Sequence, residues 1–268
     1  MFKTEGSVRK LIYAGCDIGT LQTKVVLIEE DKIIARDIIP TEARAKTSAE
    51  LAMNKALSEI DGSLDDIGYC IGCGWGLENI PFINEVISDK QCGASGVHHY
   101  LKNVRTFVDV GGLFTRAVQM DPDGFVLDYV MNDKCASGTG RFLEMMAEAL
   151  EIEPKDFDRP ELNGDDPVNI TSQCSVFAES EVITYVNEGA KIPNIISGIN
   201  KSIASKISTF VRRLGIIEDF TIIGGVGKNK MVVKHLQEII KTEIRPLEVD
   251  IQLIPAIGAA ILASRKGS

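Results

Sequence analysis

Residues 11–28 read LIYAGCDIGTLQTKVVLI. Two apolar runs, at 11–18 and 24–28, stand on either side of a turn that contains Gly19 and Thr20, so they predict two strands with a tight connection. A third apolar run at 32–39 follows three acidic residues. Consecutive short strands separated by turn residues predict an antiparallel meander at the start of the chain.

The same order of features recurs later in the chain. Residues 106–120 read TFVDVGGLFTRAVQM, which is again a strand that ends in Asp-x-Gly and leads into a second strand. The turn sequence DPDG at 121–124 and the residues 125–130 then predict a third strand. A duplicated unit of this kind predicts an α/β protein with two like lobes, which face each other across a cleft where ligands of open sheets bind.

The remaining patterns divide between the two lobes. Residues 1–10 are interpreted as a flexible leader, residues 11–105 as lobe I and residues 106–268 as lobe II. The sequence TSAE at 47–50 matches a capping box and predicts that a helix begins there. Further strands are predicted at 67–72, 220–223 and 249–253, and further helices at 139–150, 178–187, 192–214, about 230–241 and 256–264.

Composition limits the classes of function. The chain has 268 residues, of which 44% are hydrophobic and 25% are charged, as in a soluble globular protein. Its net charge of −9 argues against nucleic acid or an anionic membrane as the main partner. No apolar run approaches the roughly 20 residues of a membrane span. Because residues 1–10 lack the apolar core of a signal peptide, we expect a cytoplasmic protein whose six cysteines are reduced thiols.

Three glycine turns carry groups suited to a nucleotide. The first offers a carboxylate, hydroxyls and an amine, which can hold a phosphate and a hydrated Mg²⁺, and the second would contact the same nucleotide from the other lobe. The third lies between a strand and a helix and would leave bare backbone for adenine and ribose. The candidate cofactor-binding residues are Gly19, Thr20, Thr23, Gly111, Gly112, Gly224, Gly225, Val226 and Asn229. The candidate catalytic residues are Asp17, Lys24 and Asp109.

One such turn is a weak indication, since glycine after a strand usually only makes a turn. Three turns in this order on a repeated scaffold favour a nucleotide cleft. The chain has neither a Gly-x-x-x-x-Gly-Lys-[Ser/Thr] loop nor a Gly-x-Gly-x-x-Gly sequence, which disfavours the two commonest nucleotide-binding folds.

Two cysteines stand directly before helical patterns. Cys135 enters a turn of small residues at 136–140, and Cys174 precedes a second helical pattern. The helix dipole stabilises a thiolate at such positions, so both are candidate metal or redox ligands, with buried structural thiols as the alternative. Two ligands are half of what an iron–sulfur cluster needs, so a cluster would require a second chain.

The other cysteines favour packing. Cys70 and Cys73 imitate a C-x-x-C metal site, but residues three apart on a strand face opposite sides of the sheet. Cys16 is expected within the first strand and Cys92 in a loop, both as packing or interface residues.

The three turns, Asp-x-Gly-Thr, Asp-x-Gly-Gly and Gly-Gly-Val-x-x-Asn, resemble those of the acetate kinase, sugar kinase, Hsp70 and actin superfamily. The stretches NDKCASGTGRFLE at 132–144 and CSVFAESEVI at 174–183 resemble one branch of it. That branch comprises the activators of 2-hydroxyacyl-CoA dehydratases and the ATPase subunits of benzoyl-CoA reductases. The resemblance covers residues 13–264 and implies a duplicated ribonuclease H-like ATPase fold, with ATP or ADP and Mg²⁺ between two lobes.

The resemblance also implies an electron-transfer function. Members of this branch share one [4Fe-4S] cluster at a dimer interface, with two cysteines from each chain, and couple ATP hydrolysis to delivery of a low-potential electron. Cys135 and Cys174 are then the metal ligands, and a second copy or a homologous ATPase subunit completes the dimer. Ferredoxin or flavodoxin would be the electron donor, and catalytic dehydratase or reductase subunits the acceptor.

One position departs from the activators. Gly112 is followed by Leu113 and Phe114, where the activators have Gln-Asp. An apolar pair cannot orient water or a metal shell, so ATP hydrolysis is expected to be slow or altered, and residues 113–118 are more similar to the D-type subunit of benzoyl-CoA reductase. Two other functions stay open: a small-molecule kinase of the same superfamily, and a nucleotide-binding regulatory subunit that does not hydrolyse ATP.

Overall fold

The computed structural model describes residues 11–133, 138–172, 174–217 and 219–267. Strands β1 (Ile12–Ile18), β2 (Gln22–Glu29) and β3 (Lys32–Pro40) form the predicted antiparallel meander. Both faces of β1 and most of β2 are covered, which is why these strands are almost continuously apolar instead of alternating.

Two further strands complete the first sheet. β4 (Ile67–Gly74) runs parallel to β1, and the two-residue β5 (Glu85–Val86) gives the order β3-β2-β1-β4-β5. Helix α1 (Ala45–Ser58) connects β3 to β4 and covers one face of the sheet. Its apolar residues recur at helical spacing, so a single stripe is buried.

The second sheet repeats the first. β6 (Thr106–Val110), β7 (Thr115–Met120) and β8 (Val126–Met131) form another antiparallel meander, and β9 (Phe220–Ile223) lies parallel to β6. The order β8-β7-β6-β9 therefore matches β3-β2-β1-β4 strand for strand. The duplicated α/β architecture predicted from the sequence is confirmed.

Four helices cover the second sheet or lie beside it. They are α3 (Gly140–Ala149), α4 (Ser175–Asn187), α5 (Ile192–Leu214) and α6 (Lys230–Ile240). The long α5 buries one apolar stripe, which includes Ile199, Ile203 and Ile207, in the core of this lobe. Within the described ranges, none of the helices combines the length and apolar character needed to cross a membrane.

Helices α2 (Asp89–Tyr100) and α7 (Ile254–Gly267) pack against each other and join the two sheets through one shared core. Their close approach requires glycine. An added Cβ would lie 2.3 Å from the Ile254 carbonyl oxygen at Gly96, and 1.8 Å from the Cys92 carbonyl oxygen at Gly258. Since α7 packs on β1 and β4, the last helix of the chain contributes to the first sheet.

Three local predictions are wrong. Residues 249–253 form a turn, because the Asp250 carboxylate accepts a hydrogen bond from the Gln252 N–H at 3.0 Å. The capping box at 47–50 lies inside α1, and the Ser48 hydroxyl instead accepts from the Glu42 N–H at 2.8 Å. Cys92 lies in α2 and is fully buried, not in a loop.

Candidate nucleotide-binding cleft

The turns that follow β1, β6 and β9 open into one cleft of about 670 Å³ between the two sheets. Eleven of the twelve predicted catalytic and cofactor-binding residues line it: Asp17, Gly19, Thr20, Lys24, Asp109, Gly111, Gly112, Gly224, Gly225, Val226 and Asn229. Thr23 does not, because its side chain is fully buried and its hydroxyl lies 2.9 Å from that of Thr41. The fold thus brings together groups from positions far apart in the chain.

The first turn is a tight loop with an ion pair at its base. The Gly19 N–H donates to the Gln22 carbonyl at 3.0 Å, and an added Cβ at Gly19 would lie 2.7 Å from the same oxygen. Asp17 and Lys24 face each other across the β1–β2 pairing, and the Lys24 amine donates to Asp17 at 2.8 Å. Burial lowers the pKa of Lys24, but the Asp17 carboxylate raises it more, so the amine stays charged.

The second turn has an equivalent ion pair. Asp109 and Arg116 face each other across the β6–β7 pairing, and one guanidinium nitrogen of Arg116 donates to Asp109 at 3.0 Å. A second nitrogen lies 2.7 Å from Asp89 in the first turn of α2. Both lobes therefore carry a carboxylate at the end of the first strand of their meander, and a cation seven residues later on the next strand.

The two phosphate turns touch each other. An added Cβ at Gly112 would lie 2.7 Å from the Thr20 hydroxyl oxygen and 2.6 Å from Cγ of Leu21. Burial raises the pKa of Asp109; the Arg116 guanidinium opposes this, the Asp17 and Asp89 carboxylates add to it, and the net pKa lies above its ordinary value. Three carboxylates and two cations are therefore concentrated where the turns meet.

The third turn lets the backbone come close. Gly224 has φ 89°, and an added Cβ there would lie 2.5 Å from the Val110 carbonyl oxygen, so only glycine fits. Asn229 caps α6 by accepting from the N–H groups of Met231 and Val232 at 3.0 Å each. Its amide nitrogen donates to the buried Asn200 at 2.9 Å, which fixes the turn against α5.

Aromatic residues from both lobes stack at the cleft. Trp75, just after β4, stacks on Phe114 with ring centroids 5.2 Å apart and planes 12° from parallel. The Arg116 guanidinium lies 4.9 Å from the centroid of the Phe114 ring. Phe114 is thus buried between a ring of lobe I and a cation of its own lobe, so the apolar residue at this turn has a packing role that the sequence did not indicate.

Asp89 and Arg116 were missed in the sequence analysis. For Trp75, a position at the edge of the cleft and one in the core were equally plausible from the sequence, and the structure places this residue in the cleft lining. A signal for Arg116 was present, because Asp17 and Lys24 have the same spacing as Asp109 and Arg116. For Asp89, the one signal in the sequence was the preceding Ser88, a residue typical of a helix N-cap. The Ser88 hydroxyl accepts from the Gln91 N–H at 3.2 Å.

The second turn is hydrogen-bonded to the start of α3. The Gly140 N–H donates to the Gly111 carbonyl at 2.9 Å, and the Arg141 N–H donates to the Gly112 carbonyl at 2.8 Å. These bonds use N–H groups that the first turn of a helix leaves unpaired. The predicted ligand Cys135 lies outside the described residues, five positions before Gly140 in the sequence.

Cys174 is the exposed residue that precedes α4. The segment before it is fixed by Glu181, whose carboxylate accepts from the N–H groups of Thr171 and Ser172, each at 3.0 Å. Burial raises the pKa of Glu181, but these hydrogen bonds lower it more, and the net pKa lies below its ordinary value.

Four other cysteines are buried in the protein core: Cys16, Cys70, Cys73 and Cys92. Cys70 and Cys73 lie in different hydrophobic cores, as expected for residues on opposite faces of a strand. Across the described residues, no three His, Cys, Asp or Glu side chains are grouped as a metal site.

Comparison with known proteins agrees with this architecture. The sequence profile of the BadF/BadG/BcrA/BcrD ATPase family matches residues 14–263. The chain is 34% identical over 253 residues to the 2-hydroxyisocaproyl-CoA dehydratase activator of Clostridioides difficile, with 93% of each chain covered. It is 31% identical over 260 residues to the D-type subunit of benzoyl-CoA reductase from Thauera aromatica, with 93% of this chain and 92% of the relative covered.

Solved structures show the same fold. The activator of the 2-hydroxyisocaproyl-CoA dehydratase from Clostridium difficile with bound ADPNP has a TM-score of 0.90 at 34% identity, with 96% of each chain covered. A ROK family glucokinase from Streptomyces griseus has a TM-score of 0.57 at 12% identity, covering 95% of this chain and 99% of that chain, which is a likeness of fold alone. The duplicated lobes, the matched profile and these relatives together place the chain in the BadF/BadG/BcrA/BcrD ATPase family.

Proposed function

We propose that this chain is the ATPase component of an electron-transfer system, which uses ATP to send low-potential electrons to a 2-hydroxyacyl-CoA dehydratase or a benzoyl-CoA reductase. The family and relatives of both kinds, which match nearly the whole chain, support this function. The observation that carries the proposal is the pair of hydrogen bonds from the start of α3 to Gly111 and Gly112. They join the second phosphate turn to the helix that follows Cys135.

The proposed nucleotide position follows from the three turns. The phosphates would lie between the first and second turns, where the charged side chains meet, and the adenosine against the third turn. Asp17 and Asp109 fit a bound Mg²⁺, because carboxylate, phosphate and water oxygens are its usual ligands. When bound, the ion would neutralise charge on the phosphates.

The link to α3 provides a route from nucleotide to cysteine. A terminal phosphate adds contacts at the second turn that ADP cannot make. Because the carbonyls of Gly111 and Gly112 accept from the first turn of α3, a shift of the turn moves the start of that helix. ATP favours one arrangement over the other only to the extent that it binds that arrangement more tightly.

The position of Cys174 suits a ligand to a metal cluster that two copies of the chain share. Its thiol is exposed, while Cys16, Cys70, Cys73 and Cys92 are buried, so it is the accessible one among the described cysteines. The helix that begins beside it exposes four large apolar side chains, Val176, Phe177, Ile183 and Val186. Apolar residues exposed around a thiol suit contact with a second protein.

Two chains, each contributing Cys135 and Cys174, would supply the four thiolates of a [4Fe-4S] cluster. Such a cluster, when bound, supplies a site that accepts and releases one electron. A ferredoxin or flavodoxin would be the donor, and the catalytic subunits of the dehydratase or reductase the acceptor.

A nucleotide-binding regulatory subunit that does not hydrolyse ATP is the second candidate function. It is favoured by the stack of Trp75 on Phe114, because an apolar ring stands where the activators carry a carboxylate. ATPase activity measured with and without candidate dehydratase or reductase subunits separates the two functions. Turnover that rises when those subunits and an electron donor are present supports the coupled ATPase, and absence of turnover in every combination supports the regulatory subunit.

Iron content tests the cluster proposal. Protein purified without oxygen is expected to be a dimer with about four iron atoms per two chains and a broad visible absorption. Cys174→Ala should lose the iron and keep its affinity for ADP, because Cys174 is not part of the cleft. The matched control Cys70→Ala, at a buried thiol, should keep both. Full iron content in Cys174→Ala, or none in the wild type after reconstitution, would contradict the proposal.

A further inference from the structure

Arg116 is a buried cation that is held on three sides. Only 7% of the residue is exposed, although it lines the cleft. Its guanidinium is 3.0 Å from Asp109 and 2.7 Å from Asp89, and it lies over the Phe114 ring. A buried charge is tolerated only when it is paired in this way, so its position is closely fixed.

The Arg116 guanidinium has more N–H donors than the two carboxylates use. Its Nε is buried and has no hydrogen-bond partner within the part of the chain that the structure describes. Arginine carries five N–H donors in a planar fork, a geometry that matches phosphate oxygens. Each terminal nitrogen carries two N–H groups and contacts one carboxylate, so an anion that enters the cleft can accept from the remaining N–H groups of these nitrogens.

The internal repeat gives Arg116 a specific place. It occupies the position in the second lobe that Lys24 occupies in the first, and each cation faces the carboxylate at the end of the neighbouring strand. The two pairs are close enough for the Asp109 carboxylate to raise the pKa of Lys24, after the larger effects of burial and Asp17. Arg116 therefore lies where the first and second turns meet.

We propose that Arg116 contacts the terminal phosphate of ATP and is the residue by which this chain distinguishes ATP from ADP. Asp89 and Asp109 position the guanidinium, and the stacked rings of Trp75 and Phe114 cover it. The inference rests on the proposed nucleotide site and deepens it, because it assigns a specificity-determining residue that sequence reasoning did not find.

The test is the affinity of Arg116→Gln for two nucleotides, ADP and the non-hydrolysable analogue ADPNP, by calorimetry in the presence of Mg²⁺. A charge-assisted hydrogen bond to the terminal phosphate predicts that ADPNP affinity falls roughly 10- to 100-fold, while ADP affinity changes less than about 3-fold. Trp75 is the single tryptophan of the chain, and its fluorescence gives a second readout at the same site. In the wild type, the fluorescence of Trp75 should change more with ADPNP than with ADP, and in Arg116→Gln the two changes should be equal.

The control is Arg105→Gln, just before the start of β6, where the guanidinium bonds to the carbonyls of Lys102 and Val104 among the described residues. It should leave both affinities unchanged. Equal loss of ADP and ADPNP binding in Arg116→Gln, or no loss of either, overturns the inference but leaves the nucleotide site intact. Failure of the wild type to bind either nucleotide overturns the site as well.

If Arg116→Gln does not fold, Arg116→Lys tests the inference instead. Lysine keeps the positive charge but lacks the planar arrangement of N–H donors, so ADPNP affinity should still fall more than ADP affinity. An equal fall of the two affinities in Arg116→Lys overturns the inference.

Discussion

Replacing Asn200 with leucine would break the polar network that fixes the third turn of the cleft. Asn200 in α5 is fully buried, and its amide nitrogen donates to the Phe157 carbonyl at 2.9 Å and to Asn163 at 2.7 Å. Its oxygen accepts from Asn229 at 2.9 Å. Leucine has a similar volume but offers neither a donor nor an acceptor, so all three hydrogen bonds are lost.

The loss in free energy of unfolding differs among the three polar groups that lose their bond to Asn200. The Phe157 carbonyl keeps a second donor in Asn163, at 3.1 Å, and Asn163 is half-buried, so water can replace its lost bond. Asn229 is 7% exposed, and its unpaired amide costs about 1–3 kcal/mol. With smaller losses at the other two groups, the expected decrease in the free energy of unfolding is about 3 kcal/mol.

Urea unfolding and thermal unfolding measure this loss. For a chain of this size, about 3 kcal/mol corresponds to a decrease in Tm of roughly 6–12 °C. The matched control is Asn54→Leu, an exposed position within α1, where the same change should be neutral or slightly stabilising because leucine is the better helix former. Affinity for ADP should also fall in Asn200→Leu, since Asn229 lines the cleft. If the two variants unfold within about 0.5 kcal/mol of each other, the network does not hold the turn.

Three further predictions use other contacts. Asp109 has a pKa raised above its ordinary 3.8, so its unfavourable effect on the free energy of unfolding should appear as pH rises through the pKa of the folded state. In urea titrations, Asp109→Asn should therefore gain stability relative to the wild type between about pH 4 and 7. A difference in free energy of unfolding between the two proteins that does not change with pH would contradict this. Glu181 has a pKa lowered below 4.5, so Glu181→Gln should lower the free energy of unfolding by about 1–2 kcal/mol at pH 7. This loss should become smaller as pH falls below about 4.5. Hydrogen exchange should become faster at the backbone N–H groups of Thr171 and Ser172. Gly258→Ala should lower the free energy of unfolding by more than about 3 kcal/mol, because its Cβ would lie 1.8 Å from the Cys92 carbonyl oxygen; unfolding like the wild type would show that α2 and α7 can separate.

Much of the fold could be predicted because its signals are local. Each meander is encoded by apolar runs broken by turn residues, and α5 and β9 were predicted with the bounds that the structure has, Ile192–Leu214 and Phe220–Ile223. The sequence DKQCGASGVHHY of α2 has no apolar period and two glycines, so the helix was missed. Gly96 is required by contact with α7, and no local pattern reports a contact with residues about 160 positions away.

The site divides in the same way. Asp17, Asp109 and the glycine turns were predicted because each lies at the end of a strand or just after it, and because the three turns follow one another in the same order as in the family that the chain resembles. For Trp75 the sequence left the edge of the cleft and the core as equal alternatives, because its neighbour in the stack, Phe114, lies in the other lobe and on the other copy of the repeat. Thr23 follows the first turn in sequence, but it points away from the cleft lining because successive residues of a strand alternate between faces.

The two copies of the repeat also differ in a way that bears on mechanism. Each lobe has one carboxylate–cation pair at the junction. Among the described residues, Lys24 has one carboxylate in hydrogen-bond contact, Asp17 at 2.8 Å, whereas Arg116 has two, Asp109 and the lobe I residue Asp89, and an aromatic face. A lysine amine is a point charge on a flexible stem, and an arginine clamped on three sides is a rigid fork. Arg116 therefore links the second turn, whose carbonyls hold α3, to α2 of lobe I, whereas the ion pair of Lys24 with Asp17 lies within lobe I. A nucleotide that moves the lobes should then pull on α3 through the second turn, so variants of Arg116 should change the response of α3 to nucleotide more than variants of Lys24 do.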